Sequence, residues 1–379
     1  MRGRTFIVLV LLLVLIGVGY WFASQRGPAP PPSTTPIGAP LTLTAPLGLP
    51  PVPVPPDNPP TVETIALGRR LYYDPILSVD NTVSCATCHH PDFGFSDGKP
   101  VSEGVHGKKG NRNAPTVINA AYNAVQFWDG RAPSLEEQAG GPMQNPVEMA
   151  HTMEGVEEKL NADPSYREEF KKAFGADRIT FGMVTKAIAS FERTVIAGNS
   201  PFDRWYYGKD EKAVSDAVKR GFEVFRDPKK GNCAACHSVG EQNALFTDNK
   251  FHNIGVGVKL DKYGNPEFTD QGRFEVTKNE ADRGAFKTPG LRNIAQTAPY
   301  MHDGSLKTLK DVIDFYVGGG NSNPNLDKEI HTLVHLSGKE REDLLAFLES
   351  LTGKFPYEVG PPTTTSAQPA RLEQARRGQ

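Results

Sequence analysis

The chain has 379 residues, about two domains' worth at roughly 150 residues each. Its 42 basic and 44 acidic residues leave a net charge of −2, which excludes the strongly basic domain that a nucleic-acid footprint requires. Four cysteines are too few for a disulfide scaffold in a chain this long, and they fall in two pairs of identical spacing, Cys85/Cys88 and Cys233/Cys236.

At the N-terminus, Arg2 and Arg4 precede an uninterrupted apolar run, Phe6 to Ala23. The run is long for a signal-peptide core and close to what spans a bilayer. Residues 1–24 therefore read as an uncleaved inner-membrane anchor with its basic end inside; the alternative is a cleaved signal peptide. Either places residues 25–379 outside the cytoplasm, in the periplasm. Residues 25–60 form a proline-rich linker, with 14 prolines among residues 28–60. Such a segment favours extended polyproline II, about 3.1 Å per residue, and is expected to act as a semi-rigid stalk.

Residues 61–200 and 201–357 read as two domains with mostly helical periodicity and weak strand alternation. Val184, Ala187, Ile188, Phe191 and Val195 mark a long helix in the first. In the second, Val214, Ala217, Val218, Phe222 and Phe225 share one helical face, and Leu309, Val312, Ile313 and Tyr316 share another. Ser337 and Glu340 make a capping box ahead of Leu344, Phe347, Leu348 and Leu351. Residues 358–379 are polar and read as a disordered tail.

The two domains repeat one plan. Gly68-Arg-Arg-Leu-Tyr-Tyr-Asp74-Pro precedes Cys85-Ala-Thr-Cys88-His89, and Gly221-Phe-Glu-Val-Phe-Arg-Asp227-Pro precedes Cys233-Ala-Ala-Cys236-His237. Downstream, the same 174 positions separate Pro115 from Pro289, Asn119 from Asn293, Asp129 from Asp303 and Gly130 from Gly304.

Cys-x-x-Cys-His is the attachment sequence of c-type haem. Two thioethers hold the vinyl groups while the adjacent imidazole reaches the iron, so all three must come from one helical turn. Cys85, Cys88 and His89 then hold one haem, and Cys233, Cys236 and His237 a second. A Cys₄ zinc site or two local disulfides would each leave both histidines unexplained. The opposite axial position decides between electron transfer and peroxide chemistry, and periodicity does not choose among the remaining histidines, methionines and tyrosines.

With these motifs in place, residues 61–357 resemble the bacterial di-haem cytochrome c peroxidases and the MauG-like di-haem enzymes. The resemblance is carried by Ser84-Cys-Ala-Thr-Cys-His-His90, Arg112-Asn-Ala-Pro-Thr116, Gln126-Phe-Trp-Asp-Gly-Arg131, Leu135-Glu-Glu-Gln138, Asn145-Pro-Val-Glu-Met149, Lys250-Phe-His-Asn-Ile254, Asp282-Arg-Gly-Ala-Phe-Lys-Thr-Pro289 and Ala298-Pro-Tyr-Met-His-Asp-Gly304. It implies two tandem cytochrome c-like domains with long loops, the first haem peroxidatic and the second transferring electrons. Glu148 would be the acid/base above the first iron, Gln138 would line that pocket, and Trp128 would carry electrons between the haems. Without the motifs, Trp128 would read as core and Glu148 as a surface carboxylate. Asn113, with the carbonyls of Thr297 and Pro299, would bind Ca²⁺ between the domains. His106, in a Gly/Lys-rich loop, would cap the first iron in the resting enzyme, although its spacing to Trp128 is off by one residue; the alternative is a solvated loop histidine. Met301 is set aside because the repeat places it opposite Phe127. The second distal position falls at Tyr316, where ordinary peroxidases carry methionine and MauG-like enzymes tyrosine; the alternative is a packed core tyrosine.

The leading expectation is a peroxidase that reduces hydrogen peroxide with electrons from a small cytochrome c or cupredoxin. The second is a MauG-like oxidase that forms a bis-ferryl state and oxidises a protein substrate. The third is a plain di-haem electron carrier, against which Glu148 and Gln138 argue, since a carrier needs no acid/base at an iron. A homodimer is left open.

Overall fold

The structure, a computed structural model, describes residues 34–331 and 335–362. The expected anchor, Phe6 to Ala23, and the tail beyond residue 362 lie outside the described residues. Among the described residues no helix is long and apolar enough to cross a membrane.

The first half contains α1 (Val62–Tyr73), α2 (Cys85–Cys88), α3 (Leu135–Gln144), α4 (Met153–Ala162), α5 (Pro164–Phe174) and α6 (Phe181–Glu192). The second contains α7 (Pro201–Tyr206), α8 (Asp216–Arg226), α9 (Phe274–Thr277), α10 (Leu309–Val317), α11 (Lys328–His331) and α12 (Gly338–Glu349). Among the described residues, strand structure is limited to two small antiparallel pairs, β1 (Phe251–His252) with β4 (Phe286–Lys287) and β2 (Val258–Leu260) with β3 (Pro266–Phe268). The expected Ser337–Glu340 capping box opens α12.

Each half has its own core. In the first, α6 is apolar almost all round because α1 and α3 pack on it, burying Met183, Val184, Ile188 and Phe191 against Leu67, Leu71 and Tyr72. In the second, Phe202, Phe222, Phe225, Phe246 and Phe347 form an aromatic cluster. The repeat glycines have a steric task. A Cβ on Gly68 would run into the carbonyl oxygen of Ala187 in α6, and one on Gly221 into that of Asp343 in α12. The glycines let α1 cross α6, and α8 cross α12, at backbone contact.

The 174-residue repeat is also a backbone repeat. Asn119 and Asn293 have φ of 62° and 58°, Phe127 and Met301 67° and 74°, and Gly130 and Gly304 69° and 63°. The Phe127/Met301 match shows the same loop conformation at the position for which Met301 was set aside.

Two terminal segments depart from expectation. The proline-rich residues 34–60 lie on the body as a strap, not away from it as a stalk. The Ile37 N–H donates to the Ala173 carbonyl at 2.9 Å, and Leu43 and Leu49 are buried. Gly48 docks on the second half, its carbonyl accepting from Arg292 Nη2 at 2.6 Å. The physical reason is that the prolines are interrupted by leucines that find sockets. At the other end, residues 358–360, expected to open a disordered tail, are packed on the body. Val359 enters the first core, its carbonyl accepts from Tyr73 Oη at 2.6 Å, and Arg69 donates to the Gly360 carbonyl at 2.6 Å.

Candidate active site

A cavity of about 650 Å³ is lined by both cysteine pairs and their histidines, within the ~300–1,000 Å³ usual for ligand sites. In each motif one tight turn brings thiols and imidazole together: the N–H of His89 donates to the Cys85 carbonyl at 2.9 Å, and that of His237 to the Cys233 carbonyl at 2.8 Å. His89 Nδ1 lies 3.3 Å from the Phe95 carbonyl and His237 Nδ1 2.8 Å from the Phe246 carbonyl. Donation from Nδ1 leaves the Nε2 lone pair free for a metal. Phe95 and Phe246 take φ of 57° and 54°, which turns their carbonyls toward the histidines. Burial lowers both imidazole pKa values, so both are neutral, as ligation requires.

All four cysteines are free, so the disulfide alternative is not formed. Burial pushes the Cys88 thiol up to about 11 and that of Cys233 to about 12. Among the described residues no three His, Cys, Asp or Glu side chains cluster as a metal site, against the Cys₄ zinc alternative. One further feature fits a group carrying carboxylates. Lys287 on β4 is 7% exposed and borders the cavity, with a long 3.5 Å contact to Asn123 Oδ1 and no ion pair among the described residues. Burial pulls its pKa down to about 8. Free thiols, neutral imidazoles and an unpaired buried cation suit a c-type haem in each half.

Gln138 projects from α3, and Glu148 follows in the turn after it; both line the cavity. Asn145 Nδ2 donates to Glu148 Oε1 at 2.6 Å, and the Glu148 N–H closes the turn on the Asn145 carbonyl at 3.0 Å. Burial raises the Glu148 pKa against the opposing pull of the Asn145 hydrogen bond and of Arg131. Trp128 also borders the cavity. Its Nε1 donates to the Asn113 carbonyl at 2.9 Å, and its own carbonyl accepts from the Lys287 N–H at 2.8 Å, so it is fixed between the halves. Tyr316 on α10 faces the cavity beside Cys233 and Cys236, and burial raises its phenol pKa.

Asn113, Thr297 and Pro299 all border the cavity. Asn113 Nδ2 is committed to the Lys99 carbonyl at 2.8 Å, which leaves its Oδ1 as the donor atom for a cation. His106 is not brought in. Its side chain is 62% exposed, 3.6 Å from Asp80, in a left-handed turn with φ of 58°. Val105, fully buried, takes the inward position, and its N–H donates to the Glu148 carbonyl at 2.8 Å. In this conformation His106 does not border the cavity.

Sequence reasoning missed several groups. Arg112 bridges the halves, pairing with Asp129 and Asp270 at 2.6 Å each. His302, the repeat partner of Trp128, is buried and stacks on Phe286 with ring centres 3.6 Å apart. Glu192 is buried in α6; its signal was an acid on an otherwise apolar helix face.

The family model for di-haem cytochrome c peroxidase matches residues 62–211, and that for cytochrome c matches residues 218–352. The methylamine utilization protein MauG of Methylorubrum extorquens is 45% identical over 301 residues, covering 79% of this chain and 81% of that protein. The chain belongs to the di-haem cytochrome c peroxidase family. Cytochrome c551 peroxidase of Pseudomonas aeruginosa, another member, is 40% identical over 313 residues, covering 80% of this chain and 84% of that one. A crystal structure of a MauG-like protein associated with microbial copper homeostasis superposes with a TM-score of 0.74 at 34% identity, covering 82% of this chain and 95% of that chain. This family member is therefore an oxidoreductase of the cytochrome c peroxidase type, built from two mostly helical cytochrome c-like domains with two c-type haems.

Proposed function

We propose that the chain reduces hydrogen peroxide to water at the first haem site, with electrons delivered from a small cytochrome c or cupredoxin through the second. The observation that carries this reading is Glu148, a carboxyl whose pKa is raised by burial, held by Asn145 beside Gln138 in the His89 pocket. Each haem, held by its cysteine pair and by His89 or His237, would supply the redox chemistry. Glu148 takes a proton from one peroxide oxygen and returns it to the other, which makes water the leaving group. Gln138 orients the peroxide by hydrogen bonding. Asn145 fixes the carboxylate rotamer that faces the substrate. Trp128, tied to Asn113 and to β4, is placed to carry electrons between the halves. Asn113, Thr297 and Pro299 would hold a Ca²⁺ that fixes their spacing. The protein works in the periplasm, and the apolar segment Phe6 to Ala23 tethers it to the inner membrane.

A second reading is favoured by one residue. Tyr316 stands at the cavity wall beside the second cysteine pair, and a phenolate ligand there favours a more oxidised iron than methionine would. That suits a MauG-like oxidase acting on a protein substrate. Steady-state peroxide turnover with a reduced small cytochrome tests the first reading. Rapid turnover supports it; slow turnover with a persistent oxidised state supports the second.

A further inference from the structure

Glu148 sits in a turn, residues 145–149, whose outer carbonyls are held by other segments. That of Pro146 accepts from Lys108 Nζ at 3.0 Å, that of Glu148 from the Val105 N–H at 2.8 Å, and that of Met149 from the Val79 N–H at 2.9 Å. The first two grips come from residues 103–109, a mostly exposed loop. The third comes from residues 75–83, the segment that leads from α1 to the first cysteine pair. One side chain ties that segment to the body. Lys159 on α4 donates to the carbonyls of Ser78 and Val79 at 2.6 and 3.1 Å and to Asn81 Oδ1 at 2.8 Å, and the Ile76 carbonyl lies 3.5 Å away. An ammonium has three donors, so these oxygens occupy all of them with charge-assisted bonds. Asn81 takes a left-handed φ of 58°, which curls the segment around the ammonium. Asp80, in the same segment, turns its carboxylate to Thr82 Oγ1 at 2.6 Å. Lys159 is thus spent on loop oxygens from a position about 80 residues away in sequence. Its helix is firmly seated, because Val156 and Leu160 are fully buried in the first core.

We propose that Lys159 is a positioning residue for Glu148: it clamps residues 76–81 to α4 and, through the Val79–Met149 hydrogen bond, sets where the Glu148 carboxyl stands in the His89 pocket. The inference rests on the peroxidase reading, in which Glu148 is the acid/base. Lys159 does not border the cavity, so its effect passes entirely through the backbone it holds. Proton transfer needs the carboxyl within hydrogen-bond reach of the peroxide, and a displacement of about 1 Å at such a group costs up to about a hundredfold in rate. Of the three grips on the Glu148 turn, the one from Val79 is referred to a buried helix, and Lys159 is the link that refers it.

The experiment is a double-mutant cycle on the enzyme with both haems in place: wild type, Lys159→Met, Glu148→Gln and the pair together. Lys159→Met is expected to lose about tenfold to hundredfold in kcat/KM for peroxide, with haem content and the optical spectra of both haems as in wild type. In the Glu148→Gln background the same substitution is expected to lower kcat/KM no further, since the group it displaces no longer acts. An equal loss in both backgrounds overturns the proposal, because Lys159 then acts by a route other than Glu148. A wild-type kcat/KM in Lys159→Met, with Glu148→Gln impaired, overturns the positioning role and leaves the acid/base reading standing. Glu148→Gln at the wild-type rate, or a wild type that does not turn over peroxide, overturns the reading and the positioning role with it. Should Lys159→Met fail to retain haem, Asn81→Gly decides. It removes one of the three close acceptors and keeps the positive φ, and it is expected to lower kcat/KM in the wild-type background alone. A wild-type kcat/KM in Asn81→Gly, or an equal loss in both backgrounds, then overturns the proposal.

Discussion

Three carboxyl and phenol groups face the same cavity, and their surroundings set different tasks. Glu148 is held by an amide and opens to the pocket, so Glu148→Gln is expected to lower peroxide turnover by about 10²- to 10⁴-fold while haem content stays at wild-type level, as pyridine haemochrome assay and steady-state kinetics would show. Tyr316 borders the second cysteine pair, so Tyr316→Phe is expected to change the optical and EPR signals of the second haem and leave those of the first; unchanged signals would remove it from the coordination sphere. Glu192 has a consequence for stability. Burial raises its carboxyl pKa to about 8 in the folded chain, from an ordinary value of 4.5 in the unfolded one. Between these values the unfolded chain binds fewer protons, so stability falls as pH rises, by up to about 1.4 kcal/mol per pH unit. Urea midpoints at pH 5 and pH 8 should therefore drop further for wild type than for Glu192→Gln. The haem-anchoring residues were legible, since two thiols and an imidazole at fixed spacing admit few other chemistries. For His106 the structure shows the solvated loop position that the sequence left open as the alternative.

Among the elements, the helical faces were plain from periodicity, and α6, α8, α10 and α12 fall on the segments that carry them. What periodicity did not convey is how closely the helices cross. Gly68 and Gly221 permit backbone contact at equivalent crossings, one per half. Gly68→Ala should force α1 off α6 and cost about 1–3 kcal/mol or more, read as a lower urea midpoint. The same substitution at Gly221 should loosen α8 against α12 and leave the Gly68 crossing intact, which local hydrogen exchange would resolve. The repeat in the sequence is thus a repeat of steric needs, close crossings and left-handed turns, more than of chemistry: Trp128 and His302 hold the same place in the two copies with different side chains.

At the scale of the whole molecule, Arg112 joins Asp129 of the first half to Asp270 of the second, and the fully buried Arg292–Asp203 pair, 2.8 Å apart, also grips the strap at Gly48. Breaking that pair with Asp203→Ala leaves Arg292 uncompensated and should cost about 3–5 kcal/mol in thermal or urea unfolding. The strap was illegible because proline content alone signals an extended chain; whether that chain stands free or lies in a groove depends on partners far away in sequence.

The ends of the chain are exchanged between the halves. Residues that come before the first haem motif complete the second half at Gly48, and residues that come after the second motif complete the first half at Phe355 and Val359. Because the chain is synthesised N-terminus first, the first half lacks part of its core until Val359 has been made. Completion of the first core thereby waits for the end of synthesis, and a chain cut short after residue 353 would be defective at its beginning.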